Sequence, residues 1–260
     1  VTITNCTADE NYSGIVRDKS AAGKANAVIT VDGLTYVSEG VWKDAEGNYV
    51  VTNGDELNAT IKVAEANSTI KLLAGTYEGV EMAGKIASGL TIQGTEDAIV
   101  KGIKCNLKSF TTGSELEGMT FKNVSFKEKG IYFVDVAGSP WGFVKNFTMT
   151  ECTMTGSGTT VTEGNRLFDM GTDSPGSNQF INIKIEKCTI SNVGQGIRLG
   201  GLTGDKNLIQ DNIISNIGHN AITLRSVAAD GKVQVVNNTI SNGNDRAFRI
   251  GTNSGHVIYK

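Results

Sequence analysis

Five short stretches of this 260-residue chain set one polar residue between two apolar ones: Val134-Asp135-Val136, Phe168-Asp169-Met170, Ile197-Arg198-Leu199, Ile222-Thr223-Leu224 and Phe248-Arg249-Ile250. If each is a strand whose flanking pair turns inward, the middle residue points out. Stacked in chain order, the outward residues form a column of Asp135, Asp169, Arg198, Thr223 and Arg249. Two adjacent carboxylates repel unless a cation or donor answers them, so Asp135 and Asp169 are candidate calcium ligands. Two acids alone fall short of the roughly six to eight oxygens that calcium takes. The same pair could serve hydrolysis by paired carboxylates at the shorter of its two spacings. Arg198 and Arg249 could grip a carboxylate or sulfate through bidentate bonds, or act as a base given unusual help. The plain alternative is a solvated face, with an Asp169–Arg198 surface pair worth less than about 1 kcal/mol.

The flanking loops add possible walls. Trp141 in "AGSPWGFVKN" could stack on a sugar ring or cover exposed core. "TVTEGNRLFD" carries Arg166, and "TDSPGSNQF" carries Asp173. Arg225 falls where other coils have Gly or Ala and could turn toward the same face. His219 and His256 read as turn or surface histidines.

Something must hold these residues in line, and an internal repeat does so. From about residue 116 the chain writes as five coils whose first segments end in "FKNVSF", "MTECTM", "IEKCTI", "IQDNII" and "VVNNTI". Phe126, Met154, Ile190, Ile214 and Ile240 are equivalent, at intervals of 28, 36, 24 and 26 residues. Each segment alternates apolar and polar residues, with a phase slip at a corner. One such strand cannot bury its apolar face, whereas copies stacked about 4.8 Å apart can. An interval near 25 residues suits one turn of a right-handed parallel β-helix built from three short strands. Val124, Cys152, Cys188, Asn212 and Asn238 share one corner slot, where Asn212 and Asn238 would stack and share amide bonds.

A different pattern precedes the coils. Asp55 is suited to cap a helix over about 55–66, with Leu57, Ile61 and Ala64 on one face. A helix there would cover the open end of the stack. Residues 1–54 read as a β-rich leading segment. "VTITNCTAD" looks like a coil strand in its own right, and "GTNSGHVIYK" at the far end lacks an evident cap. The expectation is a β-helix over 55–260 cut from a longer multi-module protein, with 1–54 the remnant or linker of a preceding module.

Composition agrees with an all-β solenoid. Gly is abundant at 32 residues and Pro scarce at 2, as short strands and tight turns require. A net charge of -3 without a Lys/Arg run argues against nucleic acid. No apolar run is long enough to span a membrane. The four cysteines show no metal-ligand spacing and read as small buried hydrophobes.

The helix followed by "STIKLLAGTYEG", and the "CTISN" and "NTISN" coils, resemble the pectate-lyase-like β-helix proteins over roughly Asp55 to Lys260. "DGLTYVSEGVWKDAEGNYVVTN" is similar to linking repeats of large bacterial surface proteins. These resemblances imply a secreted or cell-surface, adhesin-like module binding polysaccharide through the Asp/Arg column, non-catalytic and without a cofactor unless calcium is held. The alternative they imply is a polysaccharide lyase, or a hydrolase, acting on an acidic polysaccharide. Arg198, Arg249, Asp135 and Asp169 would then be its catalytic candidates. The "NTD", "DD" and "RIK" signatures of polygalacturonases are absent from the sequence.

Overall fold

The computed structural model describes residues 2–3, 30–31, 33–106, 115–134, 143–162, 164–169, 180–251 and 255–260. They form a parallel β-solenoid with one short helix. Three strands of each coil fall into three long sheets, and each of the second and third sheets carries seven strands. The stacking begins upstream of the five repeats read from sequence. Strands Thr69–Leu72, Gly75–Tyr77 and Val80–Met82 make one earlier coil, and Thr91–Gly94, Ala98–Val100 and Ile103–Asn106 make another. Three strands per turn is also not the whole pattern. Glu115–Glu117, Phe143–Lys145, Phe180–Ile181 and Leu202–Thr203 build a fourth, four-stranded sheet on the return to the first.

The predicted register holds along the second sheet. Phe126 pairs with Met154, Met154 with Ile190, Ile190 with Ile214 and Ile214 with Ile240. Side chains equivalent in sequence therefore stack in the interior. Where the third and fourth coils meet, the filling is aromatic. Phe133 lies 5.1 Å from Phe168 and 5.2 Å from Phe180, and Phe121 lies 5.5 Å from Phe147, centroid to centroid.

The phase slip at each corner has a backbone cause. Asn123, Glu151, Lys187, Asp211 and Asn237 sit between the first and second sheets with φ between 53° and 58°. One left-handed residue turns the chain, and the next side chain points inward. That inward slot holds Val124, Cys152, Cys188 and Asn212, all buried, and then Asn238. A buried amide needs partners, and the stacking supplies them. Asn212 Nδ2 donates to Asn238 Oδ1 (2.8 Å) and Ile185 O (3.0 Å), while Asn212 Oδ1 accepts from the Cys188 amide (2.9 Å). The ladder expected from the sequence is present.

Helix α1 (Gly54–Val63) lies before the first complete coil and buries Leu57, Thr60 and Ile61, with Ala64 just beyond it. Its cap is Asn53, not Asp55, and it ends at Val63 rather than near residue 66. Asn53 Oδ1 accepts from the Glu56 amide (2.9 Å), and Glu56 Oε2 accepts in return from the Thr52 amide (2.7 Å). This exchange satisfies two amides that would otherwise lack partners, so it outcompetes a start at Asp55, which falls in the first turn. The strands before the helix extend the first sheet. Leu34–Ser38, Val41–Lys43 and Tyr49–Val51 run antiparallel to one another, and Tyr49–Val51 pairs parallel with Thr69–Leu72.

Asp44 ties this leading meander to the first coil. Its Oδ1 accepts from the amides of Glu46 (3.0 Å) and Asn48 (2.9 Å), and its Oδ2 meets Lys71 Nζ at 2.8 Å. Burial pushes the carboxyl up, but the Lys71 and Asn48 donors outweigh it and hold the Asp44 pKa below its ordinary value.

Two predictions follow from these contacts. Asn212→Ala strands the Cys188 amide and the Ile185 carbonyl, so it should cost about 2 kcal/mol, seen as a lower urea midpoint at unchanged slope. A depressed Asp44 pKa gives stability that is full above the unfolded carboxylate range and lost as pH falls through the folded value. Amide protection factors in Tyr49–Val51 should therefore fall in acid, and Asp44→Asn should remove most of that pH dependence.

Candidate functional site

The third sheet carries the charged column, and its register revises the column's membership. Ile197 and Leu199 are buried with Arg198 between them, and Arg198 pairs with Asp169 on one side and Thr223 on the other. Thr223 then pairs with Arg249. On the preceding coil, however, Asp169 faces Tyr132, because Ile131 pairs with Phe168. Tyr132 is thus the registered neighbour of Asp169, while Asp135 lies outside the described residues, as do Trp141 and Asp173. The stretch "IYFVDV" offers two apolar pairs three residues apart. The structure uses Ile131 and Phe133, both fully buried.

Asp169 is no surface residue. Its exposure is 0%, and its carboxylate oxygens meet two guanidinium groups and a backbone amide. Arg198 Nε (2.9 Å) and Nη2 (2.6 Å) both contact Oδ1. Arg166 Nη1 contacts Oδ2, which also accepts from the Gly164 amide at 3.2 Å. The expected exposed pair is therefore a buried one. The cause is the loop between the second- and third-sheet strands of this coil, which folds back until Gly164 lies against Lys129 and Tyr132. Farther along, the loop crosses the glycines of later coils. A Cβ at Gly194 would stand 2.5 Å from Thr160 O, and one at Gly218 only 1.7 Å from Thr159 O. Gly194 thus permits close approach and is not itself a left-handed turn; in "GQGIRLGG" only Gly201 has positive φ.

From Arg166 a polar chain continues across three more coils. Arg166 Nε donates to Gln195 Oε1 (2.7 Å), which fixes the Gln195 amide group toward His219 Nδ1 (3.2 Å). The Asn220 amide also reaches Nδ1. On the other side of the ring, Nε2 lies 3.2 Å from Asp245 Oδ2. Arg246 Nη1 stands 3.4 Å from the same oxygen. Sequence reading left out Gln195 and Asp245 and took His219 for a turn or surface histidine. A signal was available two residues before each third-sheet strand, where Arg166, Gln195, Asn220 and Arg246 occupy equivalent positions.

Geometry limits the chemistry. A calcium ion at Asp169 would have to displace both guanidinium groups. Both nitrogens of the His219 ring meet protein groups, Nδ1 the Gln195 and Asn220 amides and Nε2 the Asp245 carboxylate. Among the described residues, no group of three or more His, Cys, Asp or Glu side chains is arranged to hold a metal. The arginines outnumber the acids in the column: Asp169 is answered twice, and Arg249 is half-buried with no ion pair among the described residues. Thr223, between Arg198 and Arg249, is 1% exposed, and its hydroxyl has no hydrogen-bond partner among the described residues. Arg225 is half-buried one position beyond Leu224.

No protein-family model, curated protein or solved structure matches the chain. The site is accordingly read from its own chemistry.

Asp169→Ala leaves two buried guanidinium groups facing one another and should destabilise the chain by about 3–5 kcal/mol. In an Arg166→Met background the same substitution should cost clearly less, since the partners are coupled. Urea titration of the four proteins checks both statements.

Proposed function

We propose that this chain is a non-catalytic module of a secreted or cell-surface, adhesin-like protein, and that its third-sheet wall binds an acidic polysaccharide. The observation that carries the reading is the unpartnered Thr223 hydroxyl between Arg198 and Arg249 in the registered column. A buried hydroxyl without a partner loses hydrogen-bonding free energy that an incoming oxyanion can restore. A sugar carboxylate or sulfate that parted the side chains covering Thr223 would accept from that hydroxyl and from Arg249, with Arg225 beside them. The β-solenoid suits such a ligand because its wall repeats along the axis with every coil. A pectate-lyase-like ancestry fits the parallel coils, but fold alone carries no activity. The lyase alternative needs a free acid, a cation or a free base, and Asp169 is committed to Arg166 and Arg198.

Affinity electrophoresis in pectate, alginate and a sulfated glycosaminoglycan, with a neutral glucan as control, tests the proposal. At least one acidic polymer should retard the protein, and added salt should weaken the effect. Thr223→Val should leave the urea midpoint unchanged or raised while weakening retardation about tenfold, and Arg249→Ala should weaken it similarly. Retardation equal in all three proteins would sink the reading. Unsaturated-product absorbance that disappears in Arg198→Ala would replace it with the lyase.

A further inference from the structure

The corners of the solenoid carry a second pattern that the binding wall does not use. Asn67-Ser68-Thr69, Asn123-Val124-Ser125, Asn146-Phe147-Thr148 and Asn237-Asn238-Thr239 are each an asparagine followed two residues later by a hydroxyl. In all four the asparagine is exposed and left-handed, with φ of 62°, 53°, 53° and 53°. The geometry accounts for the spacing. Asparagine tolerates the left-handed corner, the next residue turns into the core or toward it, and the hydroxyl residue opens the following strand on its outward side.

We propose that these corner asparagines are acceptor sites for N-linked sugar. Asn-x-Ser/Thr is the acceptor pattern of N-glycosylation, which needs a surface asparagine with a reachable amide. Asn67 and Asn237 make no side-chain hydrogen bond among the described residues. Asn123 Nδ2 (3.3 Å to Gly94 O) and Asn146 Nδ2 (3.4 Å to Glu117 Oε1) are engaged only at long range, although Asn146 Oδ1 also accepts from Asn182 Nδ2 (3.1 Å). In the transfer, Nδ2 bonds to the anomeric carbon of a glycosyl pyrophosphate donor. The anomeric C–O bond breaks, the pyrophosphate-bearing group leaves with the electron pair, and Nδ2 loses one proton. The four sites border the first sheet on both sides, away from the Arg198–Thr223–Arg249 wall, so the inference stands apart from the polysaccharide reading.

The fold supplies its own control. Asn58-Ala59-Thr60 has the same pattern, but it lies within α1, and Thr60 is 0% exposed. Asn58 Nδ2 donates to Gly79 O (3.0 Å), and its Oδ1 accepts from the Glu81 amide (2.9 Å). The experiment treats the folded full chain and its proteolytic peptides with a soluble N-glycosyltransferase and UDP-glucose, then maps added hexose by mass spectrometry. Peptides should be modified at all five positions. The folded chain should gain hexose at Asn67 and Asn237, more slowly at Asn123 and Asn146, and at least tenfold more slowly at Asn58. Each gain should vanish in the corresponding Asn→Gln variant. Corner sites left bare in the folded chain, corner peptides that fail to react, or Asn58 reacting as fast as the corners would each overturn the proposal.

Discussion

Parallel pairing in fixed register between successive coils is the constraint on which the rest of the molecule depends. It places Met154 on Phe126 and Ile190 on Met154, so residues about two dozen or more positions apart become stacked neighbours. No single coil can bury its apolar side, and each becomes stable only on the coil below. The same register acts on polar groups. It turns two asparagines into a bonded ladder and sets an arginine beside a carboxylate. Both ladders follow from one geometric rule, although one lies in the core and the other beneath a loop.

The buried charge cluster shows how this rule combines with a local excursion. Asp169 would be an ordinary outward residue if its coil passed directly from the second sheet to the third. The intervening loop instead returns over it and brings Arg166 and the Gly164 amide to one oxygen, while the next coil brings Arg198 to the other. Burial makes each partner matter, because a carboxylate out of water is tolerated only when its oxygens are matched. The chain through Gln195 to His219 and Asp245 extends the matching over later coils.

Much of the architecture is legible in the sequence, because alternation and repeat spacing report the two periods that matter. The equivalence of Phe126, Met154, Ile190, Ile214 and Ile240, the inward corner slot and the Asn212–Asn238 ladder all follow from aligning coils. Alternation fails where two apolar pairs overlap. In "IYFVDV" it cannot choose Ile131 and Phe133 over Val134 and Val136, which is why Asp135 belongs in the column by sequence and Tyr132 by structure. It gives the direction of a side chain but not what covers it, so the burial of Asp169 and Thr223 was not legible. The helix cap failed for a related reason: Asp55 and Asn53 are both good caps, and only the Glu56 return bond to Thr52 separates them. The Arg166, Gln195, Asn220 and Arg246 positions were readable from the same alignment, two residues upstream of the strands compared.

The clamp on Asp169 also bears on the order in which the chain assembles. Its arginine from the loop belongs to the same coil, but Arg198 arrives only with the coil that follows. A stack growing from the helix-capped end would reach this point with half of the carboxylate's counterions still missing. Progress past it depends on the next strand docking, so the cluster couples two neighbouring turns into one cooperative step.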